Sequence, residues 1–289
     1  KIYHKGMRDF QADIDRALKY LFLAQAHDSL HGVGPQNMVD DIRNRLLQAK
    51  VIAEGAAVRA FQSLACRANT AAEDCDVFVM VYNASSFPRT EVVEAFLDLP
   101  RNAALDSIRI EDENGKPAPL HELGRADTRA GLYHPRSRNM PFYCTRVQIL
   151  FWAEGIPALG YKTFKIKWET RKDYPYPHDD WDAPRLIDRD LVISATEARN
   201  EQIAVSIMPD GTFQVTDLAT GQSYSNLNYL VDSGDCGNMW MSKSPDQDTV
   251  IQSRGGSARI ACVLRGELMA KFRIETELQV PARFDFAGQ

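Results

Sequence analysis

The first 70 residues carry apolar side chains at the spacing of amphipathic helices. In the segment RDFQADIDRALKYLFLAQ, apolar residues recur every three to four positions, at Phe10, Ile14, Leu18 and Leu21. A second run keeps this spacing from Met38 to Ala60, and Pro35 before it suits a first helical position. The short connection predicts two antiparallel neighbours. Because two helices bury little, we expect a third helix or another domain to cover them.

After Asn69 the apolar period changes to two, which is typical of half-buried strands. An Asn-Gly pair at Asn114 and an Asp-Gly pair at Asp210 indicate tight turns between strands. The pattern predicts ten strands, at residues 76–85, 90–99, 107–112, 145–154, 160–169, 190–195, 202–208, 213–218, 258–268 and 271–280.

The order of these segments predicts an α+β chain, in which an N-terminal antiparallel helical bundle precedes antiparallel β-sandwich domains. Three prolines interrupt the polar segment TRKDYPYPHDDWDAPRLI, which is typical of a linker or an exposed loop. We therefore expect four parts: a helical domain (1–72), a small β-sandwich (73–170), a linker (171–187) and the start of a larger β-sandwich (188–289).

Composition narrows the class of protein. The 289 residues are 44% hydrophobic and 25% charged, an ordinary soluble composition. The net charge of −5 gives no support for a nucleic-acid or anionic-membrane partner, and no apolar run approaches the ~20 residues that cross a bilayer.

Five cysteines, an odd number without short metal or redox spacing, indicate free thiols and a cytoplasmic location. A Cys66–Cys75 disulfide in a secreted protein is the alternative.

His27 and His31 are the first candidates for chemistry, because two histidines four residues apart on a helix can share a metal. The helical zinc motif of this spacing needs a Glu after the first His, and Asp28 stands there instead. A histidine near a helix C-terminus, favoured by the dipole, is the simpler interpretation. If the first helix continues through His27, that residue lies about 140° from the apolar stripe and faces away from its own bundle.

Two acidic segments are weaker candidates. His178 and Asp180 form a fragment of a metal motif, but they lie among prolines without a rigid element, and a solvated linker is the favoured interpretation. Asp232 and Asp235 lie in a Gly-rich segment that has too few ordered oxygen ligands for calcium. No nucleophile elbow, phosphate loop or dinucleotide motif is present.

The order of several short motifs resembles glycoside hydrolase family 38, the zinc-dependent retaining α-mannosidases, and more closely their bacterial branch. The motifs are AHDSLHGVG before the long helix, then VYNASSFPRTEVV, FWAEGIPALGYKTFKI and ARNEQIAVSIMPDGTF. The strongest matches are His27-Asp28-Ser29 with Gly32, Pro157 to Tyr161, and Asn200-Glu201 with Asp210-Gly211. The resemblance runs through nearly the whole chain.

The resemblance implies a helical middle domain and the first part of a β region, without the α/β barrel that precedes them in the family. It implies that His27 is a zinc ligand and that Asp28 contacts sugar hydroxyls. Ala26 stands where the family often has a further His, and His31 receives no role. The other zinc ligands, the nucleophile and the acid/base would lie in the barrel. The implied reaction is hydrolysis of an α-mannoside with retention, through a covalent glycosyl-enzyme.

Two alternatives to an oligosaccharide-cleaving mannosidase stay open at this point. The first is a carbohydrate-binding or scaffolding β protein with a helical cap. The second is a hydrolase of a mannosyl conjugate such as mannosylglycerate. Under the mannosidase interpretation, we expect this chain alone to be inactive and to hold no stoichiometric zinc. We also expect His27 and Asp28 to be accessible, near an apolar patch formed by Tyr20, Leu23 and Leu30.

Overall fold

The structure is a computed structural model, and it describes residues 10–65, 67–68, 77–132, 140–171, 190–238 and 241–282. The chain divides into two compact units. The first comprises Lys1–Ala71 and Met239–Met241, and the second comprises Ala72–Asn238 and Ser242–Gln289. The further division of the second unit into two β domains with a linker stays a prediction.

The helical unit contains two long helices and one short one: α1 (Gln11–Ala24), α2 (His27–His31) and α3 (Gln36–Ala65). The long helices pack against each other through small side chains, with Ala17 and Ala24 buried on α1 and Ala49 and Ala56 on α3. An ion pair between Asp13 and Arg59 also joins them. The predicted helical periodicity is therefore correct for both runs.

The expected helical bundle is found only in part. Across the described residues, α1 and α3 form a pair with an apolar groove of about 590 Å³ between them. Ile14 and Leu18, which the periodicity predicts to be core residues, remain 45% and 38% exposed in this groove. These side chains stay exposed because two helices alone cannot cover each other's apolar faces.

The first helix does not continue through His27. It ends at Ala24, and Ala26 has an extended backbone with φ −55° and ψ 138° before α2 begins at His27. The angular argument that places His27 on the back of the first helix is therefore wrong. His27 opens a separate one-turn helix, and only His31 lies at a helix C-terminus.

The first seven strands form a two-layered antiparallel sandwich. One sheet has the order β1-β7-β3-β4 and the other has the order β2-β6-β5. The strands are β1 (Val77–Tyr82), β2 (Arg89–Pro100), β3 (Ala103–Glu111), β4 (Pro117–Ala118), β5 (Leu120–Leu132), β6 (Met140–Ile156) and β7 (Tyr161–Thr170). The predicted small sandwich is thus present, and β5 is a strand that the apolar pattern does not reveal.

Alternation along the strands builds the core of this sandwich. On β6, Val147, Ile149, Phe151 and Ala153 are fully buried, while the residues between them mostly face outward. Phe151 meets Phe164 of the opposite sheet edge-on, with ring centroids 5.0 Å apart. Burial of one such large apolar side chain contributes roughly 1.5–3 kcal/mol, so this layer is the main stabilising element of the unit.

The second β region contains one five-stranded sheet and two two-stranded ribbons. The sheet has the order β12-β11-β10-β9-β8, and the ribbons are β13-β14 and β15-β16. The strands are β8 (Val192–Ser194), β9 (Glu197–Arg199), β10 (Ile203–Ile207), β11 (Phe213–Asp217), β12 (Ser223–Leu227), β13 (Val231–Asp232), β14 (Ile251–Gln252), β15 (Ala258–Leu264) and β16 (Lys271–Thr276). The predicted Asp-Gly turn joins β10 to β11, with Gly211 at φ +84°.

The described residues include three of the five cysteines. Cys144, Cys236 and Cys262 are free thiols, whereas Cys66 and Cys75 lie outside the described residues. None of the described helices combines the length and the apolar character that a membrane crossing requires.

Candidate functional site

The His27-Asp28 pair lies on the surface of the helical unit. The side chain of His27 is 89% exposed and that of Asp28 is 55% exposed. Nε2 of His27 lies 3.3 Å from Oδ1 of Asp28, and neither side chain is buried by its own unit. The expectation of an accessible His-Asp pair is therefore correct, although the helix that carries it differs from the predicted one.

Local hydrogen bonds fix the backbone that presents the pair. Leu30 N donates to the carbonyl of Ala26, and Val33 N donates to the carbonyl of Asp28, both at about 3.0 Å. Gly32 closes the turn at φ +71°, a conformation that is unfavourable for residues with a Cβ. One helical turn with a Gly cap thus holds the backbone of His27 and Asp28, while their side chains remain at the surface.

The apolar patch expected beside the pair is present in part. Leu23 and Leu30 are 49% and 61% exposed. Tyr20 is only partly exposed, because the guanidinium of Arg16 lies 5.1 Å from its ring centroid and donates a hydrogen bond to its hydroxyl. Phe22, which is not among the residues expected in the patch, is also 63% exposed.

Among the described residues, the donors around His27 fit one ligand of a shared metal site and not a complete site. A structural zinc needs four protein ligands, and a catalytic zinc needs three. No group of three or more His, Cys, Asp or Glu side chains within the described ranges could hold a metal ion. The exposed imidazole of His27 suits a ligand that completes a cluster supplied from elsewhere. His31 is also exposed, at the other end of α2.

The acidic Gly-rich segment is a structured loop, as the sequence analysis favours. Oδ1 of Asp235 accepts hydrogen bonds from the backbone N–H groups of Gly237 and Lys243, and Oδ2 accepts one from Ser242. The bond from Lys243 contributes most to a lowered pKa of Asp235. Its oxygens are therefore occupied by the loop itself. His178 and Asp180, the other weak candidates, lie outside the described residues.

Two of the resembling motifs meet in the first sandwich, where they have a structural role. Asn83 is 2% exposed, and its Nδ2 donates to the carbonyls of Phe87, Ile156 and Pro157. Asn83 N also donates to the carbonyl of Gly160 at 2.8 Å. The segments VYNASSF and GIPALGY therefore form one hydrogen-bonded junction.

In the motif ARNEQIAVSIMPDGTF, which also carries the family 38 resemblance, Asn200 and Asp210 stabilise turns. Oδ1 of Asn200 accepts hydrogen bonds from Gln202 N and Ile203 N at 2.8 Å. Asp210 accepts hydrogen bonds from Thr212 and Gly255, and these bonds lower its pKa. Of the three strongest matches, the His27-Asp28 pair combines an exposed imidazole with an exposed carboxylate, whereas Asn200 and Asp210 use their side chains to hold turns.

Solved structures of other proteins share this architecture. No family model matches the chain. The structure matches an α-mannosidase from Enterococcus faecalis V583 with a TM-score of 0.77, 21% identity and 92% of this chain covered. It also matches a glycosyl hydrolase family 38 protein from Enterococcus faecalis, with a TM-score of 0.72, 20% identity and 95% covered. The chain has the fold of part of a family 38 glycoside hydrolase.

The shared part is limited in length. This chain covers 31% of the α-mannosidase structure and 33% of the family 38 structure. A provisionally named mannosylglycerate hydrolase from Halalkalibacterium halodurans is 25% identical over 189 residues, which are 65% of this chain and 20% of that protein. The resemblance to family 38 is therefore confirmed at the level of the fold, for a segment about a third as long as the matched structures.

Proposed function

We propose that this chain is the part outside the catalytic barrel of an α-mannosidase-like, retaining glycoside hydrolase. In this proposal, His27 supplies one zinc ligand and Asp28 binds sugar hydroxyls in a site that an N-terminal catalytic domain completes. The observation that carries the proposal is the exposed His27-Asp28 pair, 89% and 55% accessible, on a fold shared with family 38 structures.

The chemistry of the pair suits these two roles. An exposed neutral imidazole can donate a ring-nitrogen lone pair to a metal held mainly by other residues. When bound, zinc would supply Lewis-acid contact to sugar hydroxyls. The carboxylate of Asp28 accepts hydrogen bonds only, and a charged acceptor binds a hydroxyl more strongly than a neutral one. The Gly-capped turn keeps both side chains on a fixed backbone.

The substrate has two candidates within the same reaction class. The likeness to the α-mannosidase structure supports an α-mannoside of an oligosaccharide as one candidate. A mannosyl conjugate such as mannosylglycerate is favoured by the sequence match to the Halalkalibacterium halodurans protein. Both reactions break an α-mannosidic bond, so the same His27 and Asp28 roles apply to each.

The test uses the polypeptide of the complete reading frame that contains this chain. It should hydrolyse an aryl α-mannoside or mannosylglycerate, and proton NMR of the first product should show the α-anomer, as retention requires. A metal chelator should abolish turnover, and added zinc should restore it. Chelator-resistant turnover, or release of the β-anomer, would contradict the proposal. The ratio of the two substrates' kcat/KM values decides between them.

A further inference from the structure

A second surface of this chain has the features of a ligand site, and it lies in the first β-sandwich. A cleft of about 350 Å³ opens where the β3–β4 turn meets the end of β6 and the start of β7. Small-molecule sites are typically clefts of roughly 300–1,000 Å³ with mostly apolar walls and a few convergent polar groups. This volume lies at the lower end of that range.

The walls of the cleft are apolar and include an aromatic face. Trp152 on β6, Phe164 on β7 and Pro119 line it. Trp152 is 37% exposed, although its strand neighbours Phe151 and Ala153 are fully buried. Its backbone N–H donates to the carbonyl of Pro119 at 3.0 Å, which fixes the strand beneath the ring. Among the described residues, the indole N–H donates no recorded hydrogen bond.

Four charged side chains converge on the same cleft and balance one another: Asp112, Lys116, Glu154 and Lys162. Nζ of Lys162 lies 3.5 Å from Oδ2 of Asp112 and 3.1 Å from the carbonyl of Glu154. Lys116 pairs with Glu154. Nζ of Lys162 also lies 3.5 Å from Oε1 of Glu113. Two carboxylates and two ammonium groups line the cleft and a third carboxylate lies beside it, so the cleft offers donors and acceptors without an excess of positive charge.

The polar groups are also held in position. Asp112 and Lys162 have side chains only 12% and 14% exposed. Oδ1 of Asp112 accepts hydrogen bonds from Asn114 N and Lys116 N at 2.9 Å, while the one contact of its Oδ2 with the described residues is the long one to Lys162. A ligand hydroxyl can therefore donate to Oδ2 of Asp112 without breaking the turn. Preorganised polar groups reduce the entropy lost on binding.

We propose that this cleft is a binding site for a neutral saccharide, with a pyranose ring packed on Trp152 and its hydroxyls hydrogen-bonded to Asp112, Glu154 and Lys162. A pyranose has an apolar C–H face that suits an indole, and a rim of hydroxyls that both donate and accept hydrogen bonds. An anionic ligand would meet two carboxylates, and a purely apolar ligand would leave the charged groups unsatisfied. The site would be separate from the pair at His27 and does not depend on the proposed hydrolysis.

The experiment titrates the full 289-residue chain with methyl α-D-mannopyranoside and α-mannobiose, following ligand signals by saturation-transfer NMR and affinity by calorimetry. Inorganic phosphate and acetate are the anionic probes. We expect saccharide binding with a dissociation constant on the order of millimolar, as a small shallow site allows. No binding of either saccharide, or stronger binding of phosphate or acetate, would overturn the proposal.

Variants assign the binding to this cleft. Trp152→Ala and Glu154→Gln should each weaken saccharide binding by about tenfold, the effect of losing one stacking or charged hydrogen-bond contact. Phe96→Ala is the matched control, because Phe96 is a 57% exposed aromatic residue on β2 of the same sheet, outside the cleft. The Glu154 side chain is 56% exposed, so Glu154→Gln keeps the fold even if Trp152→Ala does not.

A further variant separates this proposal from the hydrolase proposal. His31→Ala is the control in the helical unit and should leave saccharide binding to this chain unchanged, because His31 has no proposed role. Binding that is lost in His27→Ala and retained in Glu154→Gln would overturn the cleft as the site. Failure of the complete polypeptide to hydrolyse mannosides would leave the prediction for the cleft as it stands.

Discussion

His27 has few interactions within its own unit, and this makes its substitution informative. Its side chain is 89% exposed, and its one recorded polar partner among the described residues is Asp28. We expect His27→Ala to change the free energy of unfolding of this chain by no more than about 0.5 kcal/mol, as for most surface substitutions. Urea unfolding measures this, with His31→Ala as the matched control. A loss several times larger would mean that His27 supports the helical unit.

His121 on β5 is a buried histidine that the sequence analysis does not identify. It is 1% exposed, and neither ring nitrogen has a hydrogen-bond partner among the described residues. Burial lowers its pKa from the usual 6.5, although Glu267 and Asp190 nearby favour the charged form. Arg265 pairs with Asp190 at 2.6 Å and weakens that effect. Burial therefore disfavours the charged imidazolium of His121 in the folded chain.

This burial predicts acid sensitivity. As pH falls below about 6.5, the unfolded chain gains a proton on His121 that the folded chain resists, so stability decreases. Above that pH both states are neutral and the contribution vanishes. His121→Leu should therefore flatten the fall in unfolding free energy between pH 7.5 and 5.5, whereas His27→Ala should retain it. Equal pH slopes for His121→Leu and the unaltered chain would contradict this prediction.

At the scale of the elements, the side chain of Asn83 joins the segments VYNASSF and GIPALGY by hydrogen bonds. Replacement by alanine removes the donor to the buried carbonyl of Ile156 and to the partly buried carbonyls of Phe87 and Pro157. Since each such group costs about 1–3 kcal/mol, Asn83→Ala should lower the unfolding free energy by at least about 2 kcal/mol. Asn114→Ala is the matched control, because Asn114 contributes only its backbone N–H to its turn. Equal stability of the two variants would contradict a structural role for Asn83.

The elements that the sequence predicts correctly are those with a strong apolar period. The stripe from Met38 to Ala60 lies within α3, and the alternating run 145–154 lies within β6. The pattern fails at β5, where Gly124, Arg125, Asp127 and Arg129 interrupt the apolar positions. β5 is a strand because it pairs with β6 along its whole length. The local apolar period does not reveal such tertiary pairing.

The break between α1 and α2 illustrates a second limit of the sequence. No Gly or Pro lies between Tyr20 and His31, so nothing marks the extended residue Ala26. The accessible position of His27-Asp28 was nevertheless predictable from the resemblance. The charged cleft beside Trp152 was not, because its residues come from β6, β7 and the β3–β4 turn, which lie far apart in sequence.

For the whole molecule, we predict that this 289-residue chain alone holds no stoichiometric zinc and cleaves no α-mannoside. One imidazole leaves most of the coordination positions of zinc to water, and tight binding needs three or four protein ligands. Elemental analysis after dialysis against zinc, and an assay on an aryl α-mannoside, test this. One tightly held zinc per chain, lost in a His27→Ala/His31→Ala double variant, would instead establish a self-contained site. Turnover above a buffer blank would show that the chain carries its own catalytic groups.

We propose that His27 binds zinc and Asp28 binds the sugar from one turn of helix. One comparison of variants in the complete polypeptide tests these two roles most directly. Zinc content and kcat/KM would be measured for His27→Ala, Asp28→Asn and the control His31→Ala. His27→Ala should lower both zinc occupancy and kcat/KM, the latter by at least about 100-fold, because even outer partners of metal ligands contribute roughly 10–100-fold. Asp28→Asn should keep the zinc and weaken substrate binding by about 10–100-fold, the effect of one charged hydrogen bond. Full zinc content and unchanged kcat/KM in His27→Ala would contradict the account.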